Sequence, residues 1–241
     1  MKKNLWLLAL CQGLLSTNNV VFIAINGLVG LQLAPFGWMA TLPVMGYVVG
    51  GALSTPLVAA SQARWGRRGS FQLGLVVAFL SAALCAWAAF SANFWLLCAA
   101  TVIAGYYNAN GQLYRFAAAE LTAPAFREKA VSLVLAGGLL GAVAGPNLAS
   151  GTRNLFPVPF AGAYLALMLV ALLAMVCMAG VHFESLPAPA PGAAAPPAGR
   201  PVSALLRQPA FAVAMLGAAL GYGVMNLLMA ATPLAMQVCG F

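Results

Sequence analysis

Phe160-Ala-Gly-Ala-Tyr-Leu-Ala-Leu-Met-Leu-Val-Ala-Leu-Leu-Ala-Met-Val-Cys-Met-Ala-Gly-Val181 carries no charge, and the chain then enters Ser185-Leu-Pro-Ala-Pro-Ala-Pro-Gly-Ala-Ala-Ala-Pro-Pro-Ala-Gly-Arg-Pro201. An apolar run of that length crosses a hydrocarbon core of about 30 Å as a helix. Lipid offers the backbone no hydrogen-bond partner, so a spanning segment must be a helix or a strand of a closed barrel. Barrel strands would alternate polar and apolar residues over about ten positions, and no such alternation occurs. The proline-rich stretch lacks backbone donors and favours extended chain, which makes it a linker without a core of its own. A membrane helix followed by a linker is the pair of segments on which the architecture turns.

Working outward, further apolar runs lie at Trp6–Leu33, Trp38–Ala60, Phe71–Phe90, Phe94–Tyr114, Val131–Ala149 and, beyond the linker, Phe211–Met236. The expected fold is an all-α membrane protein. Residues 1–183 form a six-helix transmembrane half, 184–208 a cytoplasmic linker, and 209–241 the start of a second half with helix seven. A carrier of two six-helix halves has this order, so the chain is expected to be an incomplete 12-helix carrier that needs a missing C-terminal half.

Composition agrees. Of 241 residues, 63% are apolar and 6% charged, whereas a soluble domain carries about 25% charged residues. Lipid is the expected solvent and partner of most of the surface. Eleven basic residues stand against three acidic ones. With the N-terminus inside, the cytoplasmic stretches hold Lys2, Lys3, Arg64, Arg67, Arg68, Arg127, Lys129, Arg200 and Arg207, and the opposite side holds Arg153 alone. That asymmetry places the chain in a bacterial-type inner membrane with a cytoplasmic N-terminus. No basic run has interleaved aromatics, so nucleic acid is not an expected partner. The opening apolar run is too long for a signal-peptide core and is read as an uncleaved first helix.

Several chemistries find no residues here. No lysine follows a glycine, which excludes a P-loop, and no GxGxxG is present. The one histidine, His182, closes the sixth span, so a nucleophile-and-base protease has no base in the membrane. Cys11, Cys85, Cys98, Cys177 and Cys239 form no CxxC pair and read as packing residues. No enzyme activity and no cofactor are expected.

Polar residues inside the spans are the candidate site, because an ionisable group there costs about 2.5–3.5 kcal/mol on insertion scales and faces protein or a watery cavity. The fourth span ends in Tyr106-Tyr-Asn-Ala-Asn-Gly-Gln-Leu-Tyr-Arg115. At about 100° per residue, Asn108, Gln112 and Arg115 share one face, and Asn110 and Tyr114 a neighbouring one. Glu120 stands about 140° from Arg115 and is poorly placed to neutralise it. Snorkelling to the inner interface is the competing reading for Arg115. The first span contributes Asn19 and Asn26, and the seventh Asn226. Glycines four apart, at Gly46 and Gly50, at Gly137, Gly141 and Gly145, and at Gly217 and Gly221, let neighbouring backbones approach. The fifth-span series ends in Pro146, which bends the helix.

Two motifs carry a family resemblance. Arg64-Trp-Gly-Arg-Arg68, in the loop between spans two and three, resembles the loop signature of the major facilitator superfamily, Gly-x-x-x-Asp-Arg-x-Gly-Arg-Arg. Arg64, Gly66, Arg67 and Arg68 match, whereas Ala59 and Ala63 replace the glycine and the acid that helps latch the cytoplasmic gate. A simple charge cluster holding the loop inside is the alternative. Gly141-Ala-Val-Ala-Gly-Pro146 is similar to the superfamily's fifth-helix Gly-x-x-x-Gly-Pro element. The resemblance implies alternating access around a cavity lined by helices one, four and seven.

Val224-Met-Asn-Leu-Leu-Met-Ala-Ala-Thr-Pro-Leu-Ala-Met236 resembles helix seven of a copper-importing subfamily that serves cytochrome oxidase assembly. Met225 and Met229, one turn apart, are soft donors suited to Cu(I); gap-filling packing is the plain alternative. The expected function is therefore secondary transport. Cu(I) uptake leads, carriage of a small organic solute is the rival, and a truncated non-transporting membrane subunit is the reading from another class.

Overall fold

The computed structural model describes residues 2–183 and 207–239, so the proline-rich linker lies outside the described residues. The described helices are α1 (Lys2–Leu33), α2 (Leu42–Phe90), α3 (Phe94–Gly111), α4 (Tyr114–Glu120), α5 (Arg127–Thr152), α6 (Ala161–Ala179) and α7 (Pro209–Val238). No strand occurs among the described residues. The chain divides into two compact units, Met1–Glu184 and Ser185–Phe241.

A straight helix of 49 residues would run about 74 Å, more than twice the hydrocarbon thickness. Helix α2 avoids this by breaking at Gly66, where φ is 68° and ψ is 178°. That backbone conformation is open to glycine at little cost and to few other residues. Its two limbs, residues 42–65 and 67–90, are the second and third spans expected from hydropathy.

Five helices are long and apolar enough to cross a membrane: Lys3–Leu33, Gly37–Phe90, Pro124–Thr152, Ala161–Ala179 and Pro209–Thr232. Because Gly37–Phe90 holds two limbs, they account for six of the seven expected spans. The fourth differs from expectation. Instead of one rod from Phe94 to Tyr114, α3 ends at Gly111 and α4 restarts at Tyr114. Its last two turns, Tyr106–Gly111, are too polar for a lipid-facing segment and are packed inward instead, with Tyr107, Asn108 and Asn110 buried.

Between helices in lipid, burying apolar surface gains little, so close packing must hold the bundle. Glycine sets the approach. A Cβ added at Gly13 on α1 would stand 2.8 Å from the Gly137 carbonyl oxygen on α5, and one at Gly141 would stand 2.6 Å from the Thr17 nitrogen. At the α2–α3 crossing, a Cβ on Gly50 would strike the Val102 backbone, and one on Gly105 would stand 2.7 Å from the Tyr47 carbonyl oxygen. Around these crossings Leu8, Leu15, Phe71, Tyr114, Val134 and Met178 join in one buried cluster.

The outer surface is apolar in the way lipid requires. Leu139, Leu140, Val143, Leu169 and Val176 are exposed. All five tryptophans, Trp6, Trp38, Trp65, Trp87 and Trp95, are more than half exposed and lie near helix ends or breaks, as interfacial anchors do. The second unit's described helix, α7, is one continuous 30-residue helix.

Gly137→Val is expected to lower the unfolding free energy in detergent by about 1–3 kcal/mol or more, because its Cβ meets backbone that cannot swing aside. Gly151→Ala, at a helix position where an added Cβ meets nothing within 4 Å, should leave it unchanged or raise it by up to about 1 kcal/mol. Equal losses in the two variants would show that the α1–α5 approach does not depend on glycine.

Candidate functional site

Where α1, α2 and α3 meet, three amides and a phenol form one hydrogen-bonded group. The close α2–α3 approach sets the Tyr47 carbonyl against Gly105 and Asn108 Nδ2 against Gly51. Asn19 Nδ2 donates to Asn108 Oδ1 at 3.2 Å, and Gln112 Nε2 donates to the same oxygen at 3.4 Å. Tyr47 donates its hydroxyl to Asn19 Oδ1. Tyr47 is 1% exposed and Asn108 7%, whereas Asn19 and Gln112 are half-buried. The buried pair thus fixes two amides that remain reachable.

The other expected cavity residues sit elsewhere. Asn26 is fully buried; its Nδ2 donates to the Phe22 carbonyl at 2.8 Å, and Tyr164 donates to its Oδ1 at 2.7 Å. Asn110 donates to the Ser70 carbonyl at 2.6 Å, within a buried chain in which Ser61 and Ser70 hydroxyls lie 2.5 Å apart and Tyr106 donates to Ser61 at 3.0 Å. Tyr114 is 1% exposed and packs edge-on to Phe71, ring centroids 4.9 Å apart. These three residues tie helices together and lie apart from the Asn19–Asn108–Gln112 group.

Arg115 is half-buried, its Nε sealed without a partner among the described residues and its guanidinium 5.1 Å from the Phe116 ring centroid. Glu120 does not face it, as its helical offset predicts. On α7, Asn226 Nδ2 donates to the Tyr222 carbonyl at 2.8 Å; Met225 is exposed and Met229 half-buried.

The basic loop is held by Glu120, which pairs across the bundle rather than along its own helix. Arg67 Nε donates to Glu120 Oε2 at 3.0 Å and its Nη2 to Oε1 at 2.5 Å, a two-point contact, while Nη1 reaches Gln62 Oε1. Arg68 donates to the Ala179 carbonyl at the end of α6, at 2.5 Å. Arg64 leans on Trp65, 5.6 Å from its ring centroid. Gly66 supplies the reversal between these residues. Gly137, Gly141 and Gly145 all face α1, with Gly145 against Val20, and Pro146 lies within α5 one residue further on.

The family model of the Major Facilitator Superfamily matches residues 5–241. The chain belongs to the Major Facilitator Superfamily. A relative, the riboflavin transporter RfnT of Brucella anthropi, is 32% identical over 241 residues, covering 98% of this chain and 59% of the relative. The chain therefore spans less than two thirds of that transporter's length.

Membership in the Major Facilitator Superfamily, with five helices long and apolar enough to cross a membrane, makes this chain a multi-pass membrane protein of a transporter family. It lends the copper reading at Met225 and Met229 no support, since the relative is a riboflavin transporter by name. Two residues of the site escaped the sequence. Tyr47 sits in an apolar run, where nothing marks its hydroxyl as an amide partner. Helical spacing relates Glu120 only to near neighbours such as Arg115, whereas its partner Arg67 lies 53 positions away.

A double-mutant cycle of Arg67→Gln and Glu120→Gln is expected to give a coupling of about 0.5–1 kcal/mol in unfolding of the purified protein, kept small because Glu120 is 54% exposed. The coupling should shrink as salt is raised. Strict additivity would remove the latch assigned to this pair.

Proposed function

We propose that this chain forms the first helices of a secondary carrier that moves a small, uncharged organic solute by alternating access, with riboflavin as the leading candidate. The observation that carries this reading is the Asn19–Tyr47–Asn108–Gln112 group, a set of neutral donors and acceptors at the junction of three spans. The three acidic residues, Glu120, Glu128 and Glu184, all fall outside the apolar interiors of the spans. A neutral site of amides and a phenol suits a solute recognised by hydrogen bonds rather than by charge. Riboflavin, the cargo named for the relative, is such a solute. Solute binding would favour one of two inward- and outward-open states and so drive exchange of access.

The proposal includes an inner-membrane location with the N-terminus in the cytoplasm and residues 1–183 as one transmembrane half joined through 184–208 to the next. The nine-to-one distribution of basic residues between the two sides supports it. The same reading makes Arg64, Arg67 and Arg68 part of a cytoplasmic gate.

Expression of the complete carrier in cells unable to synthesise riboflavin is expected to restore growth on low external riboflavin and to give saturable uptake of the labelled vitamin, with cellular copper unchanged. Carrier present in the membrane without riboflavin uptake would overturn the assignment. In a cysteine-free background, thiols introduced at Gln62 and at Leu155 should label from opposite sides of the membrane. Labelling from one side would defeat the topology.

A further inference from the structure

Counting hydrogen bonds in the amide group shows what it has left to offer. Asn108 Oδ1 accepts from both Asn19 and Gln112, which fills its two lone pairs, and Asn19 Oδ1 accepts from Tyr47. One Nδ2 hydrogen of Asn19, the Nδ2 group of Asn108 and one Nε2 hydrogen of Gln112 remain as donors, and Gln112 Oε1 remains as the free acceptor. Among the described residues the buried side-chain atoms without a partner are Gln62 Nε2, Arg115 Nε and Asn226 Oδ1, so the unpartnered Asn108 Nδ2 and Gln112 Oε1 are not sealed in. Asn19 and Gln112 are themselves half-buried, which leaves their amide ends within reach of a ligand.

One acceptor set among several donors selects a ligand chemistry. A carboxylate, acceptor throughout, would turn an oxygen towards Gln112 Oε1. An ammonium, donor throughout, would face three donors. A cyclic imide, carbonyl–N–H–carbonyl, is acceptor, donor, acceptor along one edge and complements the set. We propose that Asn19, Asn108 and Gln112 read the imide edge of a planar heteroaromatic substrate, with Tyr47 as the positioning residue that holds Asn19 in register. This rests on the reading of the chain as part of an organic-solute carrier, and it names the part of the solute that is recognised. Tyr47 acts through Asn19: its hydroxyl occupies Asn19 Oδ1, so the amide nitrogen is the end left to the substrate.

The test compares the imide with its N-methylated form in the complete carrier. In the uptake assay, N3-methylriboflavin should inhibit labelled riboflavin entry at least about tenfold more weakly than riboflavin, because a site built around a donor rejects the analogue that lacks it. Gln112→Leu should reduce that ratio towards unity, while Gln72→Leu, whose amide serves the Met175 carbonyl instead, should preserve it. Equal inhibition by the two flavins in the unmodified carrier would overturn the assignment and point to the ribityl hydroxyls as the recognised groups.

A second readout separates this inference from the riboflavin reading. Lumiflavin, which keeps the imide and lacks the ribityl chain, should raise the melting temperature of the purified carrier, and N3-methyl-lumiflavin should not. If riboflavin is not transported and this difference is seen, the imide assignment stands and the choice of cargo falls. If both compounds shift the melting temperature equally, or neither does, the imide assignment falls.

Discussion

In hydrocarbon, two helices gain almost nothing by hiding apolar side chains from a solvent that is itself apolar, so what joins them is dispersion at short range and hydrogen bonds. Short range requires that backbones touch, and at both main crossings of this bundle they touch through glycine. Gly13, Gly137 and Gly141 bring α1 against α5; Gly50, Gly51 and Gly105 bring α2 against α3. Everything polar in the interior inherits its position from those two contacts. Asn108 and Tyr47 lie within reach of Asn19 because nothing larger than hydrogen stands between α2 and α3.

The interior polar residues then fall into two kinds. Asn26 and Asn110 spend their hydrogen bonds on neighbouring helices and on their own backbone, and both are at most 1% exposed. Such groups specify a unique packing, since an alternative arrangement would strand them in lipid. Asn19 and Gln112 are different. Asn19 is anchored by two bonds and Gln112 by one, and each keeps a further hydrogen-bonding position open, which is the condition of a residue that meets a ligand rather than a partner helix.

The loop at Gly66 shows how a missing residue is replaced in space. The superfamily signature places an acid where this chain has Ala63, yet Arg67 is not left alone, because the end of α4 delivers Glu120 to it. That choice has a further consequence. With Glu120 engaged, Arg115 has no acidic partner among the described residues, at a point where the helix has just restarted after its break at Gln112–Leu113.

Hydropathy was enough to read the fold class, and the two motifs at Arg64–Arg68 and Gly141–Pro146 the family, because backbone satisfaction in lipid is a local demand that a span must meet within its own sequence. The break at Gly66 was announced by its motif, and the polar end of the fourth span was visible as a string of Tyr, Asn and Gln. Helical periodicity put Asn108 and Gln112 on one face, and the structure agrees. It could not separate Asn108 from Asn110, or show that Asn26 is consumed by Tyr164, 138 residues away. A hydrogen bond is won by whichever donor the crossing brings within about 3 Å. The crossing is set by where two distant glycines meet, so the sequence named the polar residues, and the packing of whole helices chose which of them stayed open.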